Sequence, residues 1–189
     1  MGFLDGLLGR TKPPKANLDV LFSVPQAALT LQAEGFAFSG HGAVCFRDAE
    51  GRADDEVIAS AQEMIRTDPT ASVELHSDEF GFTWLEVVRP SGDVSGLVTD
   101  LHAVNSTMAA QGFDASMLCS TVVFEHEGHR SALVYLFKRG TFYPFVPDPS
   151  AARRRDNPTE LRMRALIEQD VPIEPDLERW LAIWGAPGL

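Results

Sequence analysis

Apolar and polar positions follow two different periods along this chain, and the switches between them predict its elements. Residues 18–22 read as a short lead-in helix. In residues 27–32, Ala27, Leu29 and Leu31 alternate with Ala28, Thr30 and Gln32, a period of two that predicts a strand. Residues 42–47 then form its hairpin partner, across the glycine-bearing stretch 35–40. Asp54 or Asp55 is placed to cap a helix with an apolar stripe of Val57, Ile58, Ala61 and Ile65, and Asp68-Pro69 ends it.

A second hairpin runs through residues 72–76, a turn at 78–81 and a strand at 82–88. Phe82, Trp84 and Val88 lie on one face of that strand, Leu85 and Val87 on the other, the pattern of a central strand covered on both sides. Residues 94–111 carry Leu97, Leu101, Val104 and Met108 at helical spacing, and Gly112 stops the helix. A third hairpin joins 118–124 to 131–137 through a polar turn containing Glu127, Gly128 and His129. Residues 140–149 are extended and run along the sheet edge or across it. Pro158 opens a helix reaching to about Gln169. Leu177, Trp180, Leu181 and Trp184 form the i, i+3, i+4, i+7 stripe of a last helix.

Hairpins joined by tight turns imply antiparallel ladders, so the predicted class is α+β, mainly an antiparallel sheet built from β-hairpins with packed helices. Residues 16–189 make one such domain. Trp84, Leu101, Val122 and Val134 are expected to be buried together where helix and sheet meet. Residues 1–15 stand apart as an amphipathic segment closed by a Pro13-Pro14 hinge. Phe3, Leu4, Leu7 and Leu8 share one helical face, and Arg10, Lys12 and Lys15 follow it. Two weak signals of this kind suit reversible contact with an anionic membrane surface. The same face equally suits docking on the protein's own sheet or on a second copy, as in a homodimer.

Composition narrows the function classes. Among 189 residues, Asp and Glu number 27 and Lys and Arg 16, a formal charge of −11. That balance opposes nucleic acid as a partner, since phosphates need a basic surface. The apolar share of 44% suffices for a packed core, and no apolar run approaches a membrane span. No secretory signal is read at the N-terminus. The expectation is a globular, cytoplasmic protein. Cys45 and Cys119 both sit in apolar strand-like runs and read as inert buried thiols.

Catalytic patterns are sparse. His126 and His129 occur in Glu-His-Glu-Gly-His, three apart with a glycine between them, whereas a zinc protease needs two histidines four apart on one helical face. A metal-assisted hydrolase built on that turn is the alternative reading. His41 and His76 stand isolated in sequence, and His102 lies beside a buried helical stripe. There is no G-x-S-x-G elbow, no dinucleotide fingerprint and no phosphate loop. No catalytic residue, metal ligand or cofactor is therefore assigned. Residues 135–145, YLFKRGTFYPF, instead combine Lys138 and Arg139 with Phe142 and Tyr143. Aromatics beside cations are common at interface hot spots. The candidate partner or membrane contacts are accordingly Phe3, Leu4, Leu7, Leu8, Arg10, Lys12, Lys138, Arg139, Phe142 and Tyr143.

Several long strings carry a resemblance: MGFLDGLLGRTKP at the start, GFTWLEV and LVTDLHAVNSTM in the centre, ALVYLFKRGTFYPF and RRDN after it, and WGAPGL at the end. In these the chain resembles the PspA-associated PspAB family, over nearly its whole length. The resemblance implies an accessory of the bacterial envelope-stress (phage-shock-like) response. It would act beside PspA, which coats stressed inner membranes, and beside other envelope-stress proteins, with no known catalysis and no functional residues to carry over. A cytoplasmic protein, peripheral at the inner membrane, fits that implication.

Overall fold

The computed structural model describes residues 16–47 and 52–189. Six strands form one antiparallel sheet: β1 (Ala37–Arg47), β2 (Ser72–Ser77), β3 (Phe82–Val88), β4 (Met117–His126), β5 (His129–Leu136) and β6 (Thr141–Phe145). Their spatial order is β2-β3-β1-β4-β5-β6. Four α-helices, α1 (Val24–Ala33), α2 (Arg52–Arg66), α3 (Val94–Ala110) and α4 (Asn157–Ile167), accompany it. The α+β class read from the sequence is the class observed.

The β2–β3 and β4–β5 hairpins stand where their alternation places them. The second closes through Glu127 and Gly128, both at positive φ (51° and 78°), the tight turn whose twist matches its strands. β6 follows β5 and carries Pro144, which an edge strand tolerates. Beyond it, Phe142 N donates to Pro172 O and Glu174 N to Phe142 O, so a short extended stretch caps that edge.

The segment 27–32 is not a strand. It lies inside α1, where Val24, Ala27, Ala28 and Leu31 are buried at helical spacing and Leu29 is exposed. Pro25 in the first turn and Gly35 at φ +89° bracket the helix. Two periods fit so short a run, and tertiary packing chose the helical one. The predicted partner of that strand survives as the longer β1, which pairs with β3 and β4. There is no first hairpin. Helix α2 begins at Arg52, so Asp54 and Asp55 fall within its first turns rather than at its cap.

The last predicted helix is a single 3-10 turn, Leu177–Arg179. Its would-be helical carbonyls are taken by other groups. Tyr143 donates its hydroxyl to Leu181 O at 2.9 Å, and Arg155 donates to Trp180 O. Trp180 and Ile183 are buried, while Leu177 and Leu181 are exposed.

The core is two cores, one on each face of the sheet. Leu101 and Val122 belong to the larger, under the helices. Trp84 and Val134 belong to the smaller, on the opposite face, with Ala43, Cys45, Cys119 and Phe145. The four residues expected to meet are all buried, but the sheet separates them into pairs. The smaller core is covered by residues 180–189 instead of a helix.

Candidate functional site

That thin cover leaves an opening. In register across the sheet, Trp84 faces Cys45, Cys45 faces Cys119, and Cys119 faces Leu136. One step along, Ala43 faces Thr121 and Thr121 faces Val134. Small side chains thus occupy the middle of the face, while Trp84 and Tyr143 stand high on either side. Small groups between large ones make a hollow. The result is a half-open apolar groove of about 670 Å³, floored by Cys45 and Cys119. That volume lies within the range of pockets that hold small organic ligands.

Two structures form its walls. The β2–β3 turn is fixed by Asp78, which accepts from Trp84 Nε1 at 2.8 Å and from the backbone N–H groups of Phe80 and Phe82 at 2.9 Å. Burial pushes its carboxyl up, but the donors of Trp84, Phe82, Phe80 and Gly81 outweigh this and hold it below the usual range. The opposite wall is the C-terminal segment, anchored by Glu174. That side chain is fully buried and accepts from Arg139 Nε and Thr141 Oγ1, both at 2.7 Å. Trp180 stacks on Tyr143 with ring centres 5.9 Å apart, and Trp184 meets Phe145 edge-on at 4.9 Å.

The groove's rim mixes cations with exposed apolar groups. Phe80 and Leu181 are 47% and 61% exposed at its lips. Arg47, Lys138, Arg139 and Arg179 line it together with Asp78 and Glu178. Cys45 and Cys119 are free. The Cys119 contact, then burial, push the Cys45 thiol far up, and burial does the same to the Tyr143 hydroxyl. The Cys45 thiol is therefore not activated as a nucleophile. The arrangement is suited to holding an apolar group.

Of the contact residues expected from sequence, Lys138 and Arg139 are exposed on this rim. Tyr143 is buried in the groove's side, and Phe142 is buried on the other face against Tyr135. Adjacent strand residues point to opposite faces, so the four cannot form one surface patch. Phe3, Leu4, Leu7, Leu8, Arg10 and Lys12 lie outside the described residues. His126 and His129 face each other across the β4–β5 turn, beside a second cavity of about 480 Å³. His126 Nδ1 lies 3.0 Å from Gly35 O and its ring stacks on Phe36. Among the described residues no group of three or more His, Cys, Asp or Glu side chains is placed to hold a metal ion.

Sequence spacing missed two things. His41 and His76, far apart in the chain, both meet Glu86, Nδ1 and Nε2 respectively lying 2.8 Å from its two oxygens. The groove itself was also missed. Its signal is a run of small residues on one strand face, visible only once the pairing order is known.

A family model described as PspA associated protein B matches residues 1–188. The chain belongs to the PspAB family. Membership brings a PspA-associated role, and every residue lining the groove lies inside the matched span. No curated protein and no solved structure matches the chain.

Proposed function

We propose that this PspAB protein is a non-catalytic accessory of the bacterial envelope-stress response that works by binding PspA near the inner membrane. One observation carries the reading. Exposed Phe80 and Leu181 stand at the lips of the groove beside the cationic rim of Lys138 and Arg139. Aromatic side chains and arginine around a partly desolvated hollow are common in interface hot spots. Among the described residues no helix is long and apolar enough to cross a membrane.

The test is retention of purified PspA on the immobilised full chain. The wild-type protein retains it above a blank surface, and the double variant Phe80→Ser/Leu181→Ser, altered only at exposed positions, retains at least about tenfold less. No retention by the wild type, or equal retention by the variant, overturns the reading.

A further inference from the structure

The groove is a half-open hollow of about 670 Å³ whose lining includes four cationic side chains. Where β4 begins, Arg47 N donates to Ser116 O at 3.0 Å, and Lys138 Nζ donates to Ala115 O at 2.8 Å. The backbone of Arg47, at the end of β1, and the Lys138 ammonium, from the turn between β5 and β6, thus meet the same short stretch of chain, and both residues line the groove. Their neighbours on the rim are already matched: Arg139 pairs with Glu174 and Arg179 with Asp176. Among the described residues neither Arg47 nor Lys138 has a carboxylate partner, and Arg47 lies over the Phe82 ring, 5.9 Å from its centre. Asp78 also lines the groove, but its oxygens are turned into their own β2–β3 turn by three donors. Glu178 stands on the C-terminal wall.

The floor is apolar apart from the two thiols. The β-ladders already pair the backbone groups beneath it. A peptide entering here would find few partners for its own N–H and C=O groups, and burying those unpaired is costly. A hydrocarbon chain has none to satisfy. About 670 Å³ accommodates one such chain, and a pair of cations at the mouth suits one acidic head.

We propose that the groove binds a single-chain anionic amphiphile of the long-chain fatty-acid class. Its acyl chain lies along the Cys45–Cys119–Leu136 row beneath Ile183 and Trp184, and its carboxylate is held by Arg47 and Lys138. The inference goes beyond PspA binding and does not depend on it.

The full chain is titrated with laurate and with oleate below their micelle concentrations, followed by the emission of Trp84 and Trp184, which line the groove. Native mass spectrometry counts the bound molecules. The expected result is saturation at one equivalent with Kd below about 100 μM. Dodecylammonium, with the same chain and the opposite head, binds at least about tenfold more weakly. The double variant Arg47→Glu/Lys138→Glu loses at least about tenfold in laurate affinity while its circular-dichroism melt stays that of the wild type. Lys138→Gln, a milder change at an exposed position, loses less but in the same direction. Non-saturable uptake overturns the proposal, as does equal affinity for the ammonium amphiphile or unchanged laurate binding by both variants. Binding seen only with two-chain anionic phospholipid vesicles also overturns it. Because PspA retention is measured separately, failure of one proposal leaves the other standing.

Discussion

Replacing Glu174 tests how the C-terminal wall is fastened to the sheet. Its carboxylate is fully buried and accepts from Arg139 Nε at 2.7 Å, Thr141 Oγ1 at 2.7 Å and Asp176 N at 3.2 Å. Its backbone adds Trp180 Nε1 to Glu174 O at 3.0 Å and Glu174 N to Phe142 O at 2.8 Å. Glu174→Ala keeps the two backbone bonds and removes the three side-chain ones. Hydrogen bonds to a charged group contribute about 1.5–3 kcal/mol each. The Arg139 side chain is 43% exposed and can turn to water, so its share is small. Thr141 and Asp176 N are left to lose most of theirs, for a total of about 2–4 kcal/mol. Glu174→Gln keeps an acceptor oxygen and loses only the charge, at about 1–2 kcal/mol.

The pH dependence separates charge from shape. Burial pushes the Glu174 carboxyl up, and the donors of Thr141, Arg139 and Asp176 outweigh it, so its folded pKa lies below the ordinary value. A depressed carboxyl contributes stability that is fully present above the unfolded pKa, about 4.3, and is lost as pH falls through the folded pKa. The gap between wild type and Glu174→Gln is therefore largest near pH 7, begins to close below about pH 4 and vanishes in stronger acid. Urea melts at pH 7, 5, 4 and 3 measure it. If Glu174→Ala loses less than about 0.5 kcal/mol, or the Gln gap persists undiminished in strong acid, the anchor is not electrostatic and the account of this wall is wrong.

In the larger core, Leu101→Ala should cost about 2–5 kcal/mol in urea melts, and a loss under about 0.5 kcal/mol would place that stripe outside the core. Gly42 lets β1 pass under α3: a Cβ there would sit 2.8 Å from both Leu97 Cδ2 and Thr121 O. Gly42→Ala should thus destabilise by about 1–3 kcal/mol, and an unchanged melting temperature refutes the close approach. Cys45 and Cys119, buried and with Cys45 held protonated, should react with dithiobis-nitrobenzoate far more slowly in the native protein than in urea; rapid labelling of both in the native protein contradicts the buried floor.

What could be read from the sequence depended on whether neighbours in the chain were also neighbours in the fold. The two hairpins with short turns and helix α3 were legible because each carries its whole signal locally, in a turn or in one uninterrupted stripe. Residues 27–32 were misread because Ala27, Leu29 and Leu31 satisfy a period of two, while Val24, Ala27, Ala28 and Leu31 satisfy the helical one equally well. Only the helix buries the second set, with Leu29 left in solvent. The stripe Leu177, Trp180, Leu181 and Trp184 failed for a different reason. Side chains of Tyr143 and Arg155 take the carbonyls of Leu181 and Trp180, and those donors lie 38 and 25 residues away.

The groove lies wholly in that second category, and its origin explains why no local pattern announces it. Cys45 comes from β1, Cys119 from β4, Trp84 from β3 and Tyr143 from β6. Taken singly, each strand shows an ordinary alternation with one or two small residues, which argues nothing. The hollow exists because the order β3-β1-β4-β5-β6 sets those small residues side by side and puts the bulky ones at the margins. A helix laid across this face would have filled it. The chain covers it instead with ten residues held by Glu174, Tyr143 and Arg155, which leave the groove half open. Filling the hollow with larger strand residues would bury more apolar surface, so on stability alone the small residues at its centre are a loss. The binding of an apolar chain proposed above gives those small residues a role.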